Sequence, residues 1–361
     1  MRARLDLRRV WDLGDTRVFD ASVLPAMVLG KKASAAESAR FTAIYRARGD
    51  AGSEVESLAE ALEREGHVRL GGRVFAVSQG ALHGGPGEVW RVSSAGVDDW
   101  LRSVREHTWR TLGDVARIRV GIKTTADPVF IRDDWGSMGD RAPELLRPII
   151  THHAAGRYRG SAPDRQVLYP HLAEGGKRAV ADLSLHPRSE AYLSRHRPSL
   201  EARRYVLAAG KRWYEIWVPQ DPRRWGRPKI VFRDISERPT FWIDESGSVV
   251  NGDCYWLALR DRAADDVLWL CLAVANSRFI EAFYDRCFHN KLYSRRRRFM
   301  RQYVEKFPLP SPASPAARRL VALAKRRYAS EDPAEQRALE RSMDALVYRA
   351  FGLAGDPASP E

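Results

Sequence analysis

The residues with the clearest chemical character lie close together, between positions 285 and 310. This stretch, DRCFHNKLYSRRRRFMRQYVEKFPLP, holds eight Lys or Arg and only two acids, with Phe288, Tyr293, Phe299 and Tyr303 interleaved. Lysine and arginine neutralise phosphates, and aromatic faces stack on bases. The stretch therefore indicates a nucleic-acid-binding surface, although a solvated basic helix face has the same composition.

A second group of polar donors lies in a loop after a predicted strand. Residues 115–120 are predicted to form that strand, and Lys123, Thr124 and Thr125 follow it within the sequence GIKTTADPVFI. Amine and hydroxyl donors suit phosphate oxygens. Threonines also satisfy ordinary turns by bonding to nearby backbone, so both interpretations of this loop stay open.

No catalytic motif is recognisable. The sequence has neither a Gly-x-Gly-x-x-Gly fingerprint nor a Walker loop. His152 and His153 are adjacent, but neighbouring side chains on a strand point apart, and no carboxylate pair at ligand spacing accompanies them. His289 suits a polar or DNA contact better than nuclease catalysis. We therefore predict no catalytic, metal or cofactor site within this chain.

Composition limits the class of protein. The 361 residues are 44% hydrophobic and 29% charged, which is enough for one or two buried cores. A net charge of +14 suits a polyanion such as DNA. Cys254, Cys271 and Cys287 form no Cys-x-x-Cys pair and indicate buried thiols in a reducing compartment. The longest apolar run, 267–275, is far short of the ~20 residues that span a bilayer. We expect a cytoplasmic protein without membrane contact.

The N-terminal region is predicted to be short and interrupted. Residues 10–19 and 21–29 are expected to be two strands, the second apolar enough to be buried. Two strands cannot enclose a core, so they either join another part of the chain or end a domain that begins earlier. Residues 33–52 are interpreted as a linker with a short helix at 39–46.

The remainder is expected to be a mixed domain followed by helices. Residues 211–219 and 228–235 are predicted strands, and a hydrophobic helix at 265–284 leads into the basic stretch. That stretch is expected to be a helix that ends before Pro308, because proline lacks a backbone donor and disfavours helix in the residue before it. Residues 316–351 are predicted to form a helical pair.

Several stretches, taken in order, resemble the C-terminal half of adenine-N6 DNA methyltransferases that have a TaqI-like specificity domain, including combined restriction and modification enzymes. Each piece alone is moderately specific, and the ordered series carries the resemblance. The matching pieces are VWDLGDTRVFDASVLPAMVLGKK (10–32), VARIRVGIKTTADPVFI (115–131), LLRPIITHHAAGRYR (145–159), WYEIWVPQ (213–220), PKIVFRDIS (228–236), NGDCYWL (251–257), LAVANSRFIEAFY (272–284), RRFMRQYVEKFPLP (297–310) and SMDALVYRAFGL (342–353).

The resemblance implies a mixed α/β (α+β) fold without the catalytic motifs. In that family the first piece follows the Asn-Pro-Pro-Tyr motif, which holds a flipped adenine against S-adenosylmethionine. This sequence has neither Asn-Pro-Pro-aromatic nor the glycine-rich cofactor motif. The implied organisation is a remnant of the catalytic-domain sheet at 1–32, a linker and small mixed segment at 33–112, a target-recognition domain at 113–310, and C-terminal helices and tail at 311–361.

The resemblance also implies a set of DNA-facing residues in three regions. One departure from the family pattern is Thr125, where we expect a glycine. The expected DNA-facing residues are Lys123, Thr124, Thr125, Trp213, Tyr214, Lys229, Lys291, Arg295, Arg296, Arg297, Arg298 and Arg301.

Three functions are compatible with these features. The preferred hypothesis is the double-stranded DNA specificity module of an adenine-N6 methyltransferase from a restriction-modification or phage-defence system. Such a chain would be inactive alone, and S-adenosylmethionine would bind only in a missing or separate catalytic half. The alternative is a subunit that docks a protein partner through the strands at 10–29 and an apolar helical stripe at 339–351, with incidental DNA contact. The third is an unrecognised enzyme such as a nuclease.

Overall fold

The computed structural model describes residues 6–19, 23–32, 39–47, 49, 51–83, 91–93, 95–261, 265–288 and 296–355. The chain divides into two compact units. The first contains residues 1–105 and 282–295, and the second contains residues 106–281 and 296–361. The mixed α and β content is confirmed. The predicted divisions at 32 and 310 do not separate compact units.

The first unit is built on one seven-stranded sheet. Its strands are β1 (Asp6–Asp12), β2 (Ala26–Lys31), β3 (Ala39–Arg46), β4 (Ser53–Glu54), β5 (Gly66–Leu70), β6 (Arg73–His83) and β7 (Arg91–Ser93). They lie in the order β2-β1-β3-β6-β5-β4, and β7 pairs with β6. Strand β1 is antiparallel to β2 and parallel to β3, whereas β3 and β6 form a long antiparallel pair.

Two apolar clusters support this sheet. Ile44 and Phe75 belong to one of them, together with helix α1 (Leu58–Glu63). Helix α1 begins where the Ser57 side chain accepts a hydrogen bond from the Glu60 amide, which satisfies a free donor of the first turn. Helix α2 (Ala95–Glu106) places Trp100 against Phe283, with ring centroids 6.5 Å apart.

Two expectations for this region are wrong. Residues 39–46 form strand β3 rather than a linker helix, because aromatic and β-branched side chains such as Phe41 and Ile44 pack well on a sheet. Strand β2 was expected to be buried, but it lies at the sheet edge. There Met27, Val28 and Leu29 are 46%, 45% and 55% exposed.

The second unit is built on two sheets around one core that includes Trp135, Trp225, Trp242 and Trp256. The five-stranded sheet contains, in spatial order, β12 (Tyr158–Arg159), β18 (Phe241–Asp244), β16 (Lys229–Arg233), β20 (Cys254–Leu259) and β9 (Ala116–Val120). The four-stranded sheet contains β10 (Ile131–Arg132), β13 (Arg165–Leu168), β11 (Leu146–Ile150) and β19 (Val249–Val250). Three small pairs are β8 (Arg110–Thr111) with β22 (Pro308–Leu309), β14 (His171–Glu174) with β15 (Lys177–Val180), and β17 (Ile235–Ser236) with β21 (Arg297–Arg298).

The helices cover this unit, and the predicted C-terminal helical pair is confirmed as α11 and α12. The helices from α3 onward are α3 (Leu112–Val115), α4 (Asp127–Phe130), α5 (Pro187–Arg195), α6 (Arg197–Glu201), α7 (Arg204–Ala208), α8 (Asp265–Ala275), α9 (Arg278–Phe288), α10 (Arg301–Val304), α11 (Pro315–Ala329) and α12 (Pro333–Ala350). The predicted helix at 265–284 is therefore two helices. Residues 282–288 of α9 belong to the first unit. No single helix in the described ranges is long and apolar enough to span a bilayer, and α8 and α9 reach that length only together, across a bend.

Two further expectations fail in the second unit. Residues 211–219 form turns instead of a strand, with one isolated bridge between Lys123 and Val218. The described part of the basic stretch is not one helix, because β21 pairs antiparallel with β17 before the single turn of α10 begins.

Candidate nucleic-acid interface

Lys229 lies in the core, so its prediction as a DNA contact is wrong. It is fully buried on β16, the central strand of the five-stranded sheet. Its ammonium donates to the Asp244 carboxylate and, at 3.0 Å, to the Trp225 carbonyl. Burial lowers the pKa of Lys229, while Asp244 acts in the opposite direction. The ammonium charge can be buried because the Asp244 carboxylate and the Trp225 carbonyl both accept hydrogen bonds from it.

Tyr214 and Thr124 are also buried, which contradicts their prediction as DNA-facing residues. The Tyr214 hydroxyl donates to the Ala181 carbonyl at 2.8 Å. The Thr124 hydroxyl donates to Asp127 and accepts from the Ala126 amide. These bonds use the polar groups inside the unit, as expected for an N-terminal helix turn and a packed aromatic residue.

The basic stretch is divided between buried and exposed positions. Lys291 and Arg295 lie outside the described residues. Arg297 is 6% exposed, pairs with Glu281 at 3.0 Å and donates to the Glu237 carbonyl. Its prediction as a DNA contact is therefore wrong.

The other three arginines of the stretch are more accessible. Arg296 is exposed. Arg298 is 48% exposed and pairs with Asp234 at 3.3 Å, whereas Arg301 is 68% exposed and pairs with Glu305 at 3.2 Å. Surface ion pairs of this kind contribute little energy, so these arginines can exchange a carboxylate for a phosphate.

The loop after β9 presents Lys123 and Thr125 to solvent. Buried Arg203 holds the loop in place by donating to the Thr124 carbonyl at 2.9 Å and to the Trp213 carbonyl at 2.7 Å. Trp213 is half-buried, with the Arg197 guanidinium 5.2 Å from its ring centroid. One buried arginine thus connects two of the predicted DNA-facing segments.

Sequence reasoning did not identify an arginine-rich concave surface of the second unit. Arg117, Arg119, Arg260 and Arg301 line a cavity of about 270 Å³ beside edge strand β9. Arg119 also lines a neighbouring cavity of about 540 Å³, together with Arg178, Lys211, Trp217, Asp221 and Arg223. We call these two adjacent cavities the arginine groove.

The arginines of the groove lie close enough together to repel one another. Burial lowers the pKa of Arg119, and Arg224 and Arg117 lower it further. A bound anion would relieve this repulsion. The signal for the groove was present in the sequence ARIRV of β9, where Arg117 and Arg119 alternate with buried Ala116 and Ile118. Residues with this spacing share one face of a strand.

His152 forms a local pair rather than a metal site. Its Nδ1 lies 2.6 Å from Oδ2 of Asp253, and that oxygen also accepts from the His152 amide at 3.1 Å. Over the described ranges, no group of three His, Cys, Asp or Glu side chains is arranged to hold a metal ion.

Comparison with known proteins shows which sequences this chain is similar to. Residues 184–309 match the TaqI-like C-terminal specificity domain. Over 368 aligned residues the chain is 32% identical to the type II methyltransferase M.BanIII of Aneurinibacillus aneurinilyticus. The alignment covers 96% of this chain and 63% of that relative. The chain therefore spans less than two thirds of the relative's length.

One solved structure supports the fold alone, and a second is a weaker match. The type IIL restriction-modification enzyme MmeI, solved in complex with DNA, matches with a TM-score of 0.56 and 11% identity over 98% of this chain and 44% of MmeI. The type IIG restriction endonuclease BpuSI matches with a TM-score of 0.43 and 11% identity, over 97% and 44% of the two chains. The resemblance stated from the sequence is confirmed: residues 184–309 match the TaqI-like C-terminal specificity domain, and the chain is similar to a type II methyltransferase over 96% of its own length.

Proposed function

We propose that this chain is the sequence-specific DNA-binding part of an S-adenosylmethionine-dependent adenine-N6 DNA methyltransferase, in a cytoplasmic restriction-modification or phage-defence system. The observation that carries the proposal is the arginine groove, which lies in the same unit as most of the specificity-domain match. A row of arginines beside a sheet edge suits the phosphates of a duplex, because it neutralises charge and releases counterions.

Methyl transfer would be performed by residues outside this sequence. Adenine-N6 chemistry requires the base to leave the duplex and enter a pocket beside the methyl donor. We infer that a catalytic half supplies that pocket, either on another chain or elsewhere in a longer protein. The relative's greater length is compatible with this division.

Strand β2 offers a docking edge for that catalytic half. No other described strand pairs with its outer side, and its apolar residues Met27, Val28 and Leu29 are exposed on both faces. An unpaired edge with apolar side chains accepts a further strand through main-chain hydrogen bonds. The occupant that we propose is therefore a strand of the catalytic methyltransferase half.

Duplex binding at several salt concentrations tests the DNA-binding proposal. We expect the logarithm of the binding constant to decrease linearly with the logarithm of the salt concentration. The double variant Arg117→Gln and Arg119→Gln should weaken binding to all sequences and reduce the slope by about one unit for each phosphate that is no longer neutralised.

Arg341→Gln is the matched control. Arg341 is exposed on α12, and its neighbour Glu340 pairs with Arg157, next to β12 at the opposite edge of the sheet from β9. Absence of duplex binding at low salt would overturn the proposal. An unchanged slope in the double variant would place the DNA outside the arginine groove.

A second candidate function, a protein-interaction subunit with incidental DNA contact, is favoured by the exposed edge of β2 alone. The helical stripe at 339–351 does not support it, because Met343, Val347 and Phe351 are buried within their own unit. Retained biological function in the Arg117→Gln and Arg119→Gln variant, combined with loss of function in Val28→Glu, would favour this candidate.

A further inference from the structure

The pair β14–β15 is a two-stranded ribbon that belongs to neither sheet of the second unit. Its strands pair in register from His171 with Val180 to Glu174 with Lys177. Gly175 and Gly176 form the turn with φ of +53° and +73°, the left-handed conformation that two-residue hairpin turns require. A Cβ atom added at either glycine would have no neighbour within 4 Å, so there is open space beside both Cα atoms of the tip.

The base of the ribbon is fixed in the core. His171 is 1% exposed, and its Nε2 accepts from the Ile216 amide at 3.2 Å. Just before the ribbon, the Tyr169 hydroxyl donates to the Pro219 carbonyl at 2.5 Å. Just after it, the Ala181 carbonyl accepts from the Tyr214 hydroxyl. A ribbon held on both sides loses little conformational entropy when it binds a partner.

Arg223 supports the tip from outside the ribbon. Its guanidinium donates to the Gly176 carbonyl and forms a two-pronged pair with Asp221, at 2.8 and 2.9 Å. Asp221 and Arg223 also line the arginine groove. The tip therefore has a fixed position beside the groove.

The side chains near the tip carry unused donors and acceptors. Glu174, Lys177 and Arg178 are exposed, and in the part of the chain that the structure describes none of their side chains forms a hydrogen bond or an ion pair with another residue. Glu174 and Lys177 are directly opposite and share one face, whereas Arg178 lies on the other face and lines the groove. Lysine and arginine donate to guanine, and glutamate accepts from the amino group of cytosine.

The dimensions of the ribbon fit a DNA groove. The two strands lie about 4.8 Å apart, the usual spacing of hydrogen-bonded strands. The major groove of duplex DNA is about 12 Å wide and admits a two-stranded ribbon. We propose that the ribbon 171–180 enters the major groove and that Glu174, Lys177 and Arg178 read base edges, while the other cations of the arginine groove, including Arg117 and Arg119, hold the backbone. This inference rests on the proposed function and adds the element that determines specificity.

Selection from a random duplex library tests the inference with the full chain. The preferred sequence of the unmodified protein is compared with that of Glu174→Ala, Lys177→Ala and Arg178→Ala. We expect each variant to lose discrimination at one or two base positions by about tenfold or more, since one bidentate base contact has roughly that value. Arg117→Gln is the matched control, which should weaken binding to all sequences and leave the preferred bases unchanged.

The outcomes separate the two proposals. If the unmodified chain binds no duplex, the proposed function fails and this inference fails with it. If the chain binds duplexes but the three variants keep the same base preference, or if the unmodified chain has no base preference, this inference alone is overturned. Thermal melting of each variant verifies folding, which exposed substitutions at a ribbon tip should not disturb.

Discussion

Lys229 and Asp244 form an ion pair that the sheet removes almost completely from water, with side-chain exposures of 0% and 7%. Desolvation of two charges is costly, and their attraction offsets the cost only while both are present. Asp244 also accepts from the Ser246 hydroxyl, which fixes its orientation. A lysine in such a site is needed for stability and has no access to DNA.

Asp244→Asn should therefore decrease the free energy of unfolding by about 3 to 5 kcal/mol, because it leaves a buried ammonium without its counter-ion. Urea unfolding measures the change. The double variant Lys229→Met and Asp244→Asn should lose less stability than Asp244→Asn alone, since no buried charge remains. A smaller effect of the single variant than of the double variant would contradict the interpretation.

His171 gives the fold a pH dependence. Burial, followed by repulsion from Lys211 and Arg178, lowers the pKa of His171 from 6.5 to about 3. Between these values the unfolded state binds a proton and the folded state does not. The contribution is therefore fully present above pH 6.5 and is lost as the pH falls, by about 1.4 kcal/mol per pH unit.

His171→Gln keeps an acceptor for the Ile216 amide and removes the titrating group. We expect the free energy of unfolding of this variant to decrease less steeply between pH 6 and 4 than that of the unmodified protein, by about 1.4 kcal/mol per pH unit. His67→Gln, at an exposed position, is the control and should keep the original slope. Equal slopes for both variants would disprove the assignment.

At the scale of elements, a close backbone approach and a positive φ angle determine which residues fit the loop after β9. A Cβ at Gly121 would collide with the Asn251 carbonyl, so the strand end requires glycine there. Thr125 adopts φ of +59°, a left-handed conformation that is costly for a β-branched residue. This conformation explains why the family pattern implies glycine at this position.

Thr125→Gly should be more stable than Thr125→Ala by about 1 kcal/mol, because only glycine adopts a positive φ without a Cβ penalty. Both substitutions remove the hydroxyl that donates to the Thr124 carbonyl at 2.6 Å, so their difference isolates the backbone effect. The two denaturation midpoints provide the measurement. Equal midpoints would show that the loop relaxes.

At the scale of the whole molecule, the chain spans 63% of the relative that it matches over 96% of its own length. The proposed division of labour assigns DNA recognition to this sequence and the methyl donor to a catalytic half. DNA recognition and binding of the methyl donor can be tested separately, because duplex DNA and S-adenosylmethionine are different kinds of ligand.

Calorimetric titration of the chain with S-adenosylmethionine should give no saturable heat, whereas the same preparation should bind duplex DNA. The duplex serves as the control for folding. A saturating titration would reveal a cofactor site within these residues and would require a different assignment of the first unit.

The sequence by itself determined a resemblance and much of the secondary structure. The ordered motifs indicated the TaqI-like specificity domain that residues 184–309 match. The apolar stripe of the C-terminal helices predicted α11 and α12 because helical periodicity depends on local spacing. Strands β9 and β16 were also found, since short apolar runs bounded by polar turns persist in a sheet.

The tertiary structure decided which charged groups face solvent, because burial depends on partners distant in sequence. Lys229 is neutralised by Asp244, and Arg297 by Glu281, whereas Arg117 and Arg119 remain on an open edge. Arg297 on β21 and Arg119 on β9 are both strand arginines, and only the neighbouring elements distinguish an ion pair in the core from a groove that can bind a polyanion.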